Sequence, residues 1–139
     1  MSTDIWQLEA AFIERWAGQV PGLDIKTTFD TIDWTDADPL KVCAQVVFDG
    51  IELDVGVRDA ALVPLRYSAH VFLDAKRQDA ADRLLASAVL SGAISAATGW
   101  EVHPGRFSML AGGQRTAFDG RILRVSISFL IPTVALSLL

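Results

Sequence analysis

Cysteine and histidine are scarce in this chain. Its single cysteine, Cys43, cannot form an internal disulfide, and it lies in an alternating run rich in valine. We therefore predict a buried thiol whose pKa is raised by burial, in a reducing compartment with the cytoplasm as the default. The two histidines, His70 and His103, lack the His-x-x-x-His or Cys-x-x-Cys spacing of a zinc site. No metal site is predicted from them.

Basic residues are fewer than acidic residues in this chain. The chain has 12 Lys and Arg against 17 Asp and Glu, for a formal net charge of -5, whereas nucleic-acid binding draws on clustered basic residues. We therefore expect no sequence recognition of nucleic acid. The opening residues Met1 to Asp4 show no pattern of a signal or transit peptide. The most apolar segment, Val125 to Leu139, is interrupted and is shorter than the roughly 20 residues of a membrane-spanning helix, so no membrane partner is predicted.

The common catalytic and cofactor motifs are missing as well. No Gly-x-Ser-x-Gly or Gly-x-Gly-x-x-Gly pattern occurs, and the glycine pair at Gly112 is followed by Gln114-Arg115 rather than by the Lys-Ser or Lys-Thr of a phosphate-binding loop. The acidic stretch from Asp30 to Asp38 lacks the spacing, the glycine and the terminal glutamate of a calcium loop. We therefore predict no enzyme, no cofactor and no metal, and a solvated loop over this stretch.

What is present indicates a single domain over residues 1–139. The chain is 51% hydrophobic and 21% charged, and it contains no internal repeat or linker. A first helix is predicted from capping residues at Ser2 to Asp4 to about Ala17, just before Gly18. The inner face of this helix is predicted to carry Ile5, Leu8, Phe12 and Trp16.

Two strands are predicted between the first helix and residue 50. One covers Leu23 to Phe29 and the other Val42 to Phe48, which alternates. The Asp49-Gly50 dipeptide that follows is a strong hairpin signal, so we expect the chain to turn there. The return arm would carry the apolar residues Ile51, Leu53 and Val55.

A longer strand is predicted from Pro64. Its residues alternate between apolar and polar, so one face is expected to be covered and the other to look outward. The covered face would hold Leu65, Tyr67, Ala69, Val71 and Leu73. The outward face would hold Arg66, Ser68, His70, Phe72 and Asp74.

A second helix is predicted from a cap at Asp79 to about Thr98, where Gly99 closes it. Alanine and serine fill much of this helix, so a neighbouring element can approach its axis closely. Its inner residues are expected to include Ala81, Leu84, Leu85 and Ala88.

Short strands close the chain. They are predicted over Trp100 to Val102 and Arg106 to Leu110, before a final hairpin that turns at Asp119-Gly120. The last strand is expected to end at Pro132. It would send Leu123, Val125, Ile127 and Phe129 inward and Arg124, Ser126 and Ser128 outward. Together the elements predict an α+β fold, with two helices on one face of a mainly antiparallel or mixed sheet of about six strands.

Charge is segregated along the chain, with basic residues in the last third and acidic residues over 30–38 and 49–59. A basic edge of one subunit could then meet an acidic edge of the next in the head-to-tail contact that closes a ring. Ordinary surface salt pairing is the equally weighted alternative. The candidate interface residues are Arg106, Arg115, Arg121 and Arg124, with Asp49 and Asp54 on the acidic side and Leu138 in the apolar tail.

The opening helix from Leu8 to Trp16, with the Val20 to Leu23 turn after it, resembles small tail-completion proteins of Mu-like prophages, the tail-terminator family. This resemblance implies an α/β fold and assembly into rings, often hexamers, that cap the tail tube and meet the head connector. The implied partners are other copies of the chain, tail-tube proteins and head-connector proteins. The implied location is the host cytoplasm during assembly and then the virion tail. Further similar segments are the Leu65 to Phe72 strand, the Asp79 to Thr98 helix, the Gly99-Trp100 exit and the strand ending at Pro132.

Two other functions remain open. The polar sheet face around Arg66, His70 and Arg124 could serve a small enzyme or a ligand-binding domain, and the chain could be a dimeric accessory protein. A binding pocket predicts thermal stabilisation by small molecules, whereas an assembly protein predicts a size that depends on concentration.

Overall fold

The computed structural model describes residues 4–30, 42–51, 62–74, 80–112, 115–119 and 122–135. Two helices and eight strands lie in these ranges. In chain order they are α1 (Ile5–Gln19), β1 (Ile25–Lys26), β2 (Val42–Ile51), β3 (Leu62–Asp74), α2 (Ala80–Ala97), β4 (Glu101–His103), β5 (Arg106–Phe107), β6 (Met109–Leu110), β7 (Arg115–Asp119) and β8 (Ile122–Ala135).

The main sheet is built around β3, its central strand. Its strands follow the order β1-β2-β3-β8-β6, and β7 also pairs with β8. The β1–β2 pair is parallel and the other pairs are antiparallel. Strands β4 and β5 form a separate two-stranded sheet. The predicted α+β fold with a mixed sheet is therefore confirmed.

Helix α1 begins where its capping residue predicts. The Asp4 carboxylate accepts a hydrogen bond of 2.8 Å from the Trp6 backbone N–H, which satisfies one of the free donors of the first turn. The helix runs to Gln19, two residues past the predicted end, because Gly18 is accommodated in its last turn. Three of the four predicted inner residues are fully buried, namely Leu8, Phe12 and Trp16, and Ile5 is half-buried.

Both helices pack on the same face of the sheet. Phe12 of α1 lies with its ring centroid 4.4 Å from that of Phe129 in β8, and neither residue is exposed. The Trp16 indole N–H donates a 2.9 Å hydrogen bond to the Val89 carbonyl of α2, so the largest buried side chain also has its polar atom satisfied. The core thus lies between the two helices and one face of the sheet. Neither helix covers the opposite face.

The alternation predicted for the two central strands is confirmed for their covered faces, whereas Asp74, which was predicted to look outward, is only 1% exposed. All five residues assigned to the covered face of β3 are at most 5% exposed. In β8, Ile127 and Phe129 are buried, and Leu123 packs partly buried against the core. Because residues two apart share a face, the polar residues between them lie on the other side of the sheet.

The hairpin predicted at Asp49-Gly50 is wrong. Strand β2 continues through these residues to Ile51, and its pairing with β3 shifts register between Phe48 and Gly50. The irregularity is a bulge in which Gly50 takes a φ of 125°, a backbone conformation that favours glycine. The same residue type therefore serves a bulge here and a turn elsewhere. The remainder of the predicted return arm, Leu53 and Val55, lies outside the described residues.

Strand β8 also continues past its predicted end at Pro132, as far as Ala135. Its register with β3 shifts between Val63 and Leu65. Pro64 lies inside this irregularity and Pro132 lies in the facing segment, so neither proline has to donate a ladder hydrogen bond. The ladder therefore tolerates a residue that normally terminates it.

The predicted inner face of α2 is wrong. Leu84 and Leu85 are 73% and 45% exposed. A Cβ atom on Gly92 would lie 2.8 Å from Val20 Cγ2 of the segment that ends α1, so the close approach of the helices selects small residues and turns the leucines outward. The buried residues of α2 are Asp82, Ala86, Val89, Gly92, Ala93, Ala96 and Ala97.

The shorter elements differ in length from their predictions. The strand expected over Leu23 to Phe29 is reduced to the two residues of β1. The strand expected over Arg106 to Leu110 is divided into β5 and β6 at Ser108, whose hydroxyl donates to the Ala97 carbonyl. The final hairpin pairing is confirmed, since Asp119 of β7 faces Ile122 of β8.

Candidate functional site

The sheet face away from the helices contains a concave depression of about 570 Å³. It spans the three longest strands, and most of its side chains are polar. They come from alternating positions, so the same pleat that buries the core residues presents these residues on the other side. The lining residues are Gln45, Val47, Asp49, Arg66, Ser68, His70, Phe72, Arg124, Ser126 and Ser128.

The sheet register brings these residues into rows. His70 of β3 pairs with Gln45 on one side and with Ser126 on the other. One step along β3, Ser68 lies between Val47 and Ser128 in the same way. Residues paired directly across neighbouring strands have Cβ atoms roughly 5 Å apart, so each row is a continuous contact surface.

Hydrogen bonds order one end of the depression. The buried Ser68 hydroxyl donates to the Asp49 carboxylate. The Ser68 and Ser128 hydroxyl oxygens are 3.3 Å apart. The Asp49 carboxylate is therefore already engaged by a neighbouring strand, which leaves it less able to act as a free base or metal ligand.

His70 lies at the centre of the depression and is half-buried. Burial lowers the pKa of its imidazole, the nearby Arg124 guanidinium lowers it further, and Asp49 opposes the shift. The ring is therefore neutral at pH 7. Its Nδ1 atom is buried and has no hydrogen-bond partner among the residues that the structure describes. Phe72 packs against it, with ring centroids 5.9 Å apart.

Among the described residues that line the depression, arginines outnumber carboxylates. Two arginines, Arg66 and Arg124, and one carboxylate, Asp49, line it, and His70 is neutral. Arg124 is exposed, and it forms no ion pair within the described part of the chain. In a chain whose overall charge is -5, an exposed arginine without an ion pair in the described ranges favours an anionic or strongly hydrogen-bond-accepting ligand.

A second polar network closes the sheet edge at β2. Glu9, which lies in the apolar arc of α1, is only 3% exposed, and its carboxylate accepts a 2.7 Å hydrogen bond from the Thr28 backbone N–H. The Thr28 hydroxyl in turn accepts a 2.9 Å hydrogen bond from the Phe48 N–H. The Thr28 side chain thus pairs with a backbone N–H that an edge strand would otherwise leave without a hydrogen-bond partner.

The opposite edge of the sheet is apolar. Met109 and Leu110 of β6 are 51% and 44% exposed, and β8 is the one sheet neighbour of β6 among the described strands. Phe107, which lies in β5 of the separate two-stranded sheet, is 49% exposed. The two edges are therefore chemically different. The sequence predicts a strand through Met109 and Leu110, but their position at the edge of the sheet depends on the order of the strands.

The candidate interface residues lie in several places. Asp49 and Arg124, which the charge pattern assigned to different edges, line the same depression. Arg106 is in β5, where it pairs with His103 of β4, and Arg115 is in β7. The interface itself stays a prediction. Three candidates lie outside the described residues, namely Arg121, Asp54 and Leu138.

The predicted burial of Cys43 and the raised pKa of its thiol are confirmed. The residue is 2% exposed, and burial raises the pKa of its thiol. Within the six described ranges, no group of three or more His, Cys, Asp and Glu side chains could hold a metal ion. The acidic stretch beyond Asp30 lies outside those ranges.

Among the described elements, α2 is long and apolar enough to cross a membrane by length and composition alone. Such helices also occur as core helices of soluble proteins. The row through Val89, Ala93 and Ala96 is fully buried within this chain, as in a core helix.

No family model matches the chain, and no curated protein matches it. Among solved structures, the fold is similar to a chain in the virion of a native gene transfer agent particle, at 16% identity and a TM-score of 0.55. That match covers 91% of this chain and 94% of the other. A second solved structure, whose name describes no function, is 11% identical with a TM-score of 0.52, and the match covers 91% of this chain and 92% of that one. These likenesses show a shared fold over nearly the whole chain.

Proposed function

We propose that this chain is a structural protein of a phage or phage-like particle, acting at the tail or the head-tail junction. The observation that carries the proposal is the fold likeness to a gene transfer agent virion chain, which covers 91% of this chain and 94% of that chain. A match of this extent relates the whole domain rather than a shared supersecondary motif. The role would be non-enzymatic, and the chain would reside in the host cytoplasm during assembly and later in the virion.

Within that role, the chain would act as a tail terminator that forms a homo-oligomeric ring, a hexamer, on the tail tube. The resemblance of the Leu8 to Trp16 helix and its following turn to tail-terminator proteins supports this finer assignment. The ring would contact tail-tube proteins on one side and head-connector proteins on the other. Its subunits would meet head to tail, since a repeated contact between two different surfaces closes a ring when the rotation allows it.

The two unlike edges of the sheet support such a contact. The β2 edge is covered by the Thr28 side chain, whereas β6 presents exposed apolar residues beside a basic segment. A surface of this kind suits an interface with an apolar centre and a charged rim. Arg106, Arg115 and Arg121 would form the rim, and Leu138 would add apolar area.

The test is light scattering coupled to size-exclusion chromatography over a concentration series at low and high salt. We expect a hexamer or a concentration-dependent species for the wild type. Charge reversal in Arg115→Glu or Arg121→Glu should weaken association about tenfold, because a rim charge contributes steering and modest affinity. Arg83→Glu, on the exposed side of α2, is the matched control and should assemble as the wild type does.

Assembly of the Arg115 and Arg121 variants at wild-type concentration and with wild-type salt dependence would contradict the charged-rim contact. A strictly monomeric wild type at every concentration and salt would contradict ring formation by the isolated chain. Mixing it with tail tubes would then test whether the tube templates the ring.

A ligand-binding domain is the second candidate. The observation that favours it is the polar depression, in which convergent polar groups lie in a concave site. Such a domain would use the central sheet face rather than the sheet edges. The two functions are therefore separable by substitutions on different surfaces.

A further inference from the structure

The charged side chains that line the depression differ in how they are engaged. Its one carboxylate, Asp49, already accepts from Ser68. The Gln45 side-chain amide donates 2.9 Å hydrogen bonds to the Thr27 and Asp30 carbonyls, so it is anchored at the strand edge. Arg124, by contrast, is exposed and forms no ion pair with any described residue. The Arg124 guanidinium therefore calls for an acceptor, not a cation.

Three side chains of the depression that can donate hydrogen bonds, Arg124, Ser126 and His70, are neighbours through the sheet register. Ser126 pairs with His70 across the β3–β8 ladder, and Arg124 lies two residues before Ser126 on the same face. Arg124 is thus diagonal to His70, at the roughly 7–8 Å that long side chains bridge in antiparallel pairs. The three side chains therefore line the same part of the depression.

The buried Nδ1 atom of His70 is a second, independent observation. A buried polar atom without a partner is costly, and most such atoms are paired in native structures. No described side chain supplies its partner. A rotation of the His70 ring that turns Nδ1 toward the depression would let an oxygen-bearing ligand seated beside Arg124 supply one, with the ring in the tautomer that carries hydrogen on Nδ1.

We infer that the depression binds a small oxyanion, a carboxylate or a phosphate-type group, held by the Arg124 guanidinium, the Ser126 hydroxyl and His70 Nδ1. The arginine provides the planar charged fork that recognises such groups, and the serine and histidine fix their orientation. A divalent cation is disfavoured there, because Arg124 lines the site and Asp49, the one carboxylate among the described lining residues, is engaged by Ser68. The inference does not rest on ring assembly, since every group comes from one chain.

Binding of an anion would reverse the electrostatics around His70. The charged groups that face it are Arg124 of β8, Arg66 of β3 and Asp49 of β2. Without an anion, burial and Arg124 lower the pKa of its imidazole. A bound anion opposes the field of the arginine, so it should raise that pKa and couple anion binding to proton uptake.

The experiment is an NMR titration of the intact chain with sulfate and, separately, with malonate, following backbone amides of the three strands and the His70 ring. Sulfate represents tetrahedral oxyanions and has no proton to exchange near neutral pH, and malonate represents carboxylates. We expect saturable shifts centred on Ser126 and His70 and a raised His70 pKa with the bound probe. The probe that binds more tightly identifies which geometry the site prefers.

The variant is Arg124→Gln, with Arg83→Gln on the exposed side of α2 as the control for loss of one positive charge. Arg124→Gln should weaken binding of the preferred probe by at least about tenfold, the loss of one charge-assisted pair, and Arg83→Gln should not change it. Three outcomes would overturn the inference: no saturable binding of either probe, equal affinity in Arg124→Gln, or equal weakening by both variants. Each of these can be obtained whether or not the chain forms a ring.

Discussion

His70 illustrates how the position of one side chain on a sheet determines its protonation. The residue faces away from the core, yet the neighbouring strands and Phe72 bury much of its ring. Burial and Arg124 both disfavour the imidazolium, and Asp49 compensates only in part. The folded pKa therefore lies below the ordinary value of 6.5 that an unfolded chain shows.

This shift predicts a pH dependence of stability. As the pH falls through 6.5 toward the lower folded pKa, the unfolded chain binds more protons than the folded one, so the free energy of unfolding decreases. His70→Gln should reduce this decrease. Urea unfolding midpoints at several pH values between about 7.5 and 5 measure it, because that window brackets the ordinary histidine pKa.

His103→Gln is the control, since it removes the other histidine and keeps His70. If His70→Gln leaves the pH dependence of the urea unfolding midpoint unchanged, that dependence does not arise from His70. Arg124→Gln should raise the pKa of His70, because it removes the guanidinium that repels the imidazolium.

At the scale of elements, the contact between α1 and α2 is set by glycine. Gly92 lies where a Cβ would come within 2.8 Å of Val20 Cγ2 and 3.2 Å of Gln19 Cβ. Valine is stiff at χ1, so its methyl group cannot easily turn away. The spacing between the helices therefore depends on the absence of a side chain at this one position.

Gly92→Ala should destabilise the fold by about 1 kcal/mol. Overpacking costs typically 1–3 kcal/mol, and the gain in helix propensity of about 1 kcal/mol offsets only part of it. Gly18→Ala is the matched control, because nothing lies within 4 Å of its added Cβ. We expect it to be neutral or to stabilise by up to about 0.5 kcal/mol. Chemical denaturation compares the two, and equal effects at both sites would contradict the close contact.

The elements differ in how far the sequence alone could predict them. Strand β3 follows strict alternation, and α1 carries a cap and a regular apolar face, so local patterns suffice for both. The phase of α2 was wrong because a hydrophobic pattern assigns Leu84 to the core, whereas the neighbouring helix admits only small residues there. The hairpin predicted at Asp49-Gly50 is wrong because a bulge and a turn both use a glycine with positive φ, so the dipeptide alone does not distinguish them.

The candidate site was only partly accessible to sequence reasoning. The outward alternation placed Arg66, His70 and Arg124 on one face, which the structure confirms. The rows that join them to β2 depend on strand order and register, which are long-range properties. Asp49 is the clearest case: taken as part of a turn, it could not be placed on the sheet face where Ser68 engages it.

At the scale of the whole molecule, the sheet offers three distinct surfaces beyond its core. One is the polar face, one is the β2 edge that Thr28 covers, and one is the apolar β6 edge. The first carries the inferred anion site and the last suits a protein contact. Because they are built from different residues, one chain can support assembly and ligand binding without competition for side chains.

The β6 edge gives the last prediction. Met109 is 51% exposed, so Met109→Asp should change the free energy of unfolding of the single chain by no more than about 0.5 kcal/mol. In a ring that uses this edge, however, the new carboxylate would be buried without a partner, and assembly should be strongly weakened. Light scattering at matched concentrations measures assembly, and chemical denaturation verifies the fold.

Leu84→Asp is the matched control, since it places the same charge on an even more exposed apolar residue of α2, at 73%. If Met109→Asp alone weakens assembly, the contact lies at the β6 edge. Wild-type assembly of Met109→Asp together with loss of assembly in Leu84→Asp would move the contact to the outer face of α2. That outcome would give the outward-facing leucines, which intramolecular packing leaves without a role, a function in the assembled particle.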